Sequence, residues 1–140
     1  MAVDRIPAAL YRTFFHDEGG TWLRWHTEKL WALPTPVSTV DLVDLRWHLA
    51  LPVWRSTPTT RFDLSPEQVL AAPDEYPDHW QRVVTATLSH PLELFENYGR
   101  WVIMDGYHRL ARHAVEGSSV VRVRYHDHSL LHTILRPRHE

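Results

Sequence analysis

Five consecutive residues, Asp105-Gly106-Tyr107-His108-Arg109, combine a carboxylate, a glycine, an imidazole and a guanidinium. A carboxylate can orient or deprotonate a hydroxyl, an imidazole can donate or carry a proton, and a planar guanidinium can grip an oxyanion through two bonds. Together they suit phosphate chemistry. The flanking residues predict where the five stand. Val102-Ile103-Met104 is a short apolar run with β-branched members, as expected of a buried strand. Asp105 is a favourable N-cap and Gly106 permits a tight turn. Leu110, Ala111, Ala114 and Val115 recur at helical spacing, Gly117 falls where an αL C-cap belongs, and Val120 to Tyr125 alternates into another strand. The polar cluster is thus expected at the N-terminus of a helix that leaves a strand. Unpaired N–H groups and the positive end of the helix dipole favour an anion there. A plainer reading stays open, in which Asp105 only caps and the basic pair only solvates the turn.

The segment DGYHRLARHAVEG followed by VRVR resembles the signature of the ParB/sulfiredoxin superfamily, over Pro91 to Tyr125, about a quarter of the chain. The resemblance implies an α+β fold, a small mixed β-sheet with flanking helices, and a turn that holds nucleotide phosphates. On that basis Gly106, Tyr107, His108, Arg109 and Arg112 are the phosphate- or nucleotide-binding candidates. Asp105 and His108 are the catalytic candidates, and Asp105 is the candidate ligand for Mg²⁺. Branches of the superfamily differ in what they do, and fold kinship alone does not choose among them. Sulfiredoxins need a cysteine just before the His-Arg pair; here Tyr107 stands there and the chain has no cysteine, which excludes thiol chemistry. Partition proteins carry a following helix-turn-helix domain, which the short stretch after the last strand signal is not expected to supply. Free-serine kinases have an Asp-Gly-His-His-Arg turn, similar to residues 105–109 at four of five positions. The expectation is a nucleotide-dependent phosphotransferase, a kinase using ATP or ADP with Mg²⁺ on a small hydroxyl-bearing molecule. Two alternatives remain: a nucleotide-binding or DNA-associated regulator without catalysis, and an inert scaffold for a protein partner.

Composition narrows the field. The 140 residues, 44% hydrophobic with seven Trp, argue for a folded domain. No apolar run approaches the roughly 20 residues of a membrane helix, and the N-terminus lacks the pattern of a signal peptide. Absence of cysteine fits a reducing compartment, so the expected location is cytoplasmic. A net charge of −2 and a pI near 6.6 are not the footprint of a nucleic-acid binder. From Asp105 onward, however, arginines outnumber acids by two, through Arg109, Arg112, Arg122, Arg124, Arg136 and Arg138. That excess suits a phosphate-sized anion better than a duplex, so DNA is the less favoured partner.

Upstream, residues 1–36 form an aromatic-rich segment with residues 17–36 as a candidate lid, and residues 37–140 form the ParB/sulfiredoxin-like part of one compact domain. A helix is expected over residues 4–15, with Ile6, Leu10 and Phe14 on one face. Val40 to Leu45 reads as a strand. Ser65-Pro66-Glu67-Gln68 has the capping-box pattern of a helix start, Pro73 stops that helix, and Pro77 opens another. Leu92 to Glu96 and Trp101 to Met104, joined around Asn97-Tyr98-Gly99, read as a hairpin. A second catalytic carboxylate would come from Asp41, Asp44, Glu67, Asp74, Glu75 or Asp78. The Trp residues are mostly expected in the core, with one or two lining a pocket. His126 and His128 would share one face of a strand, a weak zinc signal without a third ligand. The other histidines apart from His108, including His48, His79 and His90, have no context that argues for chemistry.

Overall fold

The computed structural model describes residues 5–137; Arg138 and the first position of the expected N-terminal helix lie outside them. Four strands form a mixed sheet in the order β1-β4-β2-β3: β1 is Ser38–Asp41, β2 Leu92–Asn97, β3 Arg100–Asp105 and β4 Val120–His126. The β2/β3 and β1/β4 pairs are antiparallel and β2/β4 is parallel. The helices are α1 (Thr27–Trp31), α2 (Leu42–Leu45), α3 (Pro66–Ala71), α4 (Pro77–Val84), α5 (Tyr107–Glu116) and α6 (Leu131–Ile134). The molecule is α+β, a four-stranded mixed sheet with flanking helices.

Strand alternation sends side chains to two buried faces. Leu92, Leu94, Ile103, Val121 and Val123 pack against Val69 of α3, Val83 of α4 and Leu110 and Ala111 of α5. Phe95, Val102 and Met104 face the other way, onto Phe15, Leu30 of α1 and Ile134 of α6. The segment before β1 therefore covers one side of the sheet.

Local signals worked where the chemistry is backbone chemistry. Tyr98 and Gly99 both have positive φ (51° and 78°), the two-residue turn that matches strand twist in a hairpin. Gly117 is αL and ends α5, with the Ser118 N–H donating to the His113 carbonyl. Ser65 and Gln68 complete the capping box of α3. Two expectations fail. Residues 5–15 hold only a 3-10 turn at Ala8–Leu10, because the Ile6 N–H donates to Gly20 and Arg5 pairs with Thr21, drawing the chain into an extended ladder. Ile6, Leu10 and Phe14 still pack together without the long helix. The Val40–Leu45 strand stops at Asp41; Leu42 and Leu45, three apart, bury as one face of α2 while Val43 points to solvent.

Beneath the second face lies a buried ionic cluster. In the β2/β4 register, Glu93 stands opposite Arg124 and Phe95 opposite His126. The Glu93 carboxylate accepts from Arg124 Nε (2.8 Å) and Nη2 (2.9 Å), His126 Nε2 (2.8 Å) and His90 Nε2 (3.0 Å). Burial pushes its pKa up, but the bonds from His126 and Arg124 prevail and hold it at about 2. The rest of the Arg124 guanidinium donates to the carbonyls of Leu30, Trp31, Leu33 and Thr35, closing the end of α1. His126 also meets the Thr35 hydroxyl at 2.6 Å. The structure thus spends His126 on the core, while His128 lies in the following 3-10 turn, so the two do not form the one-faced pair that alternation predicts. His48 is buried on the opposite side of β3; its Nδ1 meets the Leu45 carbonyl and its Nε2 accepts from the Ile103 N–H. Burial pushes it down to about 4, helped by the Arg100 charge against the bond to Leu45.

Two outcomes are expected. Arg124→Met takes from buried Glu93 its paired cation and two of its four hydrogen bonds and should cost about 3–5 kcal/mol in chemical denaturation. Both depressed groups bind protons more weakly folded than unfolded, so stability is lost as pH falls. His48 should erode it between about 6.5 and 4, and Glu93 between 4.5 and about 2, the latter by on the order of 3 kcal/mol. Melting curves across pH test this; stability unchanged from pH 7 to pH 3 would contradict it.

Candidate functional site

The strand-to-helix turn opens into a cavity of about 520 Å³. Asp105, Gly106, Tyr107, His108 and Arg109 form one wall, Arg82 and the loop from Thr85 to His90 another, and Trp31 the rim. Gly106, rather than Asp105, is the N-cap of α5, with φ of 124° and no side-chain capping bond. Among the described residues the first N–H groups of α5 therefore have neither helical nor side-chain partners. A Cβ on Gly106 would meet Leu92 Cδ2 at 2.7 Å and Arg109 Nη2 at 2.9 Å, so only glycine fits this turn by both dihedral angle and space.

Asp105 is the last residue of β3, where its carboxylate is engaged instead of capping. Oδ2 accepts from Arg109 Nη2 (2.9 Å) and from the Trp31 indole N–H (3.0 Å). Oδ1 has no partner among the described residues. Arg109 is not an exposed turn residue: its side chain is only 12% accessible, it also reaches the Pro91 carbonyl, and its Nε is buried without a partner among the described residues. Trp31 is held by its indole bond against His90, ring centroids 4.1 Å apart, yet remains 46% exposed.

Tyr107 and Arg112 stand elsewhere than a phosphate ligand should. The Tyr107 ring packs into the main core beside His48, its hydroxyl is buried without a partner among the described residues, and burial raises its pKa. Only its backbone belongs to the anion end of α5. Arg112 turns away to hold the Ala86 carbonyl and Glu116, bracing the cavity wall without lining it. His108 lines the cavity and stacks on Trp54; burial pushes it down to about 3, with Arg82, His79 and Arg109 adding to the effect. At neutral pH it is an uncharged donor or acceptor.

None of the six carboxylates proposed to assist Asp105 reaches this cavity. Asp41 borders a groove beside α2, and Glu75 and Asp78 line a smaller cavity of about 240 Å³ with His79. Of the C-terminal arginines, Arg124 is buried with Glu93, and Arg122 donates to the Ser89 carbonyl at 2.7 Å. Trp31, Arg82 and His90 are the wall residues that local sequence did not single out. Trp31 lay in the aromatic segment, but nothing local pointed it at Asp105. Among the described residues no helix is long and apolar enough to cross a membrane. No family model, curated protein or solved structure matches the chain.

Gly106→Ala should destabilise the fold by about 1–3 kcal/mol through dihedral strain, with the 2.7 Å approach to Leu92 adding to it. At Gly99 a Cβ would meet nothing within 4 Å, so Gly99→Ala carries the strain of its φ of 78° alone. Paired denaturation curves check the order; equal losses would mean that Gly106 is not sterically locked.

Proposed function

We propose that this cavity holds the phosphates of a nucleotide, and that the protein is a nucleotide-dependent phosphotransferase of ParB/sulfiredoxin-like fold acting on a small hydroxyl-bearing molecule. The uncapped end of α5, standing in a cavity wall with Arg82, Arg109 and the carboxylate Asp105, carries this reading. Arg82 is exposed, with no hydrogen-bond or ion-pair partner among the described residues, so its charge is available to an anion. Arg109 is committed to Asp105 and contributes mainly a fixed positive field. Trp31 on the rim offers a flat ring of a size to stack a base.

Phosphoryl transfer is chiefly positioning and charge neutralisation. Asp105 Oδ2 is held from two sides, which aims the unengaged Oδ1. Among the described residues no three or more His, Cys, Asp or Glu side chains gather to hold a metal. Mg²⁺ commonly uses one or two carboxylates and takes its other ligands from phosphates and water. Asp105 Oδ1 therefore fits a Mg²⁺ that arrives with the nucleotide, where it would neutralise phosphate charge. One observation favours the non-catalytic regulator as second reading: among the described residues no other carboxylate stands in the cavity wall.

Calorimetric titration with ATP, ADP, CTP and GTP, with and without Mg²⁺, tests the binding. Arg82→Ala should weaken nucleotide affinity about tenfold or more, the worth of a charge-assisted bond, and leave the melting temperature unchanged. No binding at millimolar nucleotide would remove this reading. Phosphorus NMR of bound ATP with a panel of hydroxyl-bearing amino acids and sugars separates the two functions. Consumption that Asp105→Asn abolishes supports transfer; intact binding without consumption supports the regulator.

A further inference from the structure

His79 and His108 lie against the same indole. The Trp54 ring stacks on His108 with centroids 4.1 Å apart and on His79 at 4.7 Å, and His79 Nδ1 stands 3.3 Å from His108 Nε2. His79 Nε2 is 2.8 Å from the Arg55 carbonyl oxygen. A carbonyl can only accept, so this nitrogen carries a hydrogen, and in a neutral ring Nδ1 is then a bare lone pair. A bare nitrogen can only accept, so the hydrogen joining the two rings sits on His108 Nε2. The same rule leaves His108 Nδ1 without a hydrogen. That atom has no partner among the described residues, and it is not one of the buried unpartnered nitrogens. It belongs to a side chain in the cavity wall. A backbone carbonyl thus dictates, through two rings, which nitrogen of His108 is bare.

We propose that His79 is a positioning residue that locks His108 with Nδ1 as a hydrogen-bond acceptor at the phosphate cavity, so that the site prefers ligands presenting an O–H or N–H donor beside the anion. The inference rests on the phosphate seat described above and adds a specificity element to it. The α5 N–H groups, Arg82 and Arg109 all favour negative charge without regard to protonation. A bare, uncharged nitrogen rewards a proton on the ligand and meets a fully ionised oxygen lone pair to lone pair. Burial and the neighbouring charges of Arg82 and Arg109 keep His108 from gaining a proton that would erase the difference. Trp54 holds both rings in register, and Pro77 and the first turn of α4 place His79.

Two measurements test this. Long-range ¹⁵N–¹H NMR of the histidines at pH 7.5, above the ordinary imidazole range, should show His108 protonated at Nε2 and bare at Nδ1. In His79→Phe, which keeps a ring on Trp54, His108 should become a mixture of tautomers, and His79→Gln should restore the single form, because an amide can accept from one side and donate on the other. A His108 protonated at Nδ1, or a tautomer unaltered by His79→Phe, would overturn the proposal. Inorganic phosphate, which keeps a P–OH at this pH, should bind about tenfold more tightly than sulfate, which has none, by the worth of one buried hydrogen bond. That preference should vanish in His108→Phe and shrink in His79→Phe, with melting curves confirming that each variant folds. Equal affinities for the two anions in the wild type would overturn the acceptor role. Binding of neither anion, with the tautomer in place, would refute the phosphate seat and not the coupling of the two rings.

Discussion

The buried carboxylate of Glu93 is the point on which the rest of the structure hangs. A negative charge with no accessible surface would be intolerable alone, since desolvation of an ion costs several kcal/mol even after relaxation. Four hydrogen bonds to two oxygens offset that cost, and they come from two places: β4, which supplies the Arg124 guanidinium twice and His126 once, and the loop before β2, which supplies His90. Because Glu93 and Arg124 are register partners on adjacent parallel strands, a slip of one residue between the strands would put the two on opposite faces of the sheet. The pair therefore fixes the strand register as well as filling the layer beneath it.

From that pair the constraint passes outward to the cavity. Arg124 has donors to spare after serving Glu93, and it uses them on four carbonyls around the end of α1. A five-residue helix has little stability of its own. Closing its C-terminal carbonyls with a buried cation holds Trp31 where its indole N–H meets Asp105. His90 joins the same two ends, bonded to Glu93 and stacked on Trp31. The rim of the cavity is thus tied to the sheet by one contiguous set of bonds.

The cavity itself is built from opposed requirements. Asp105 would repel an anion if left unpaired, and Arg109 answers it at 2.9 Å, one helical turn away. The positive φ of Gly106, with Leu92 and Arg109 packed close over it, explains why that turn favours glycine. With the Asp105 charge answered, the α5 N–H groups, Arg82 and Arg109 together leave the local field positive. His108 adds an uncharged contact, and its stacking on Trp54 limits how that ring can turn.

Features set by backbone and short-range chemistry were legible in the residues themselves. The Asp105-Gly106 turn between strand and helix, the αL stop at Gly117, the capping box at Ser65 and the Tyr98-Gly99 hairpin depend on dihedral preference and on bonds within a few positions. So did the α+β class and the placement of Gly106 to Arg109 at a helix start. What each polar side chain does there was settled by partners distant in sequence. Trp31 reaches Asp105 across 74 positions and Arg124 reaches the end of α1 across more than 90. Asp105 lost its capping role because Gly106 took that position and Arg109 folded back. Tyr107 went to the core because an aromatic ring gains more from burial than from solvent. Arg124 left the surface because a buried carboxylate and unpaired carbonyls needed donors, and Arg112, still partly exposed, turned to the Ala86 carbonyl. Local sequence determined the shape of the turn and the end of the helix that could receive an anion. Tertiary packing decided which charges remain free to meet one, since hydrogen-bond satisfaction in the interior is a property of the whole fold.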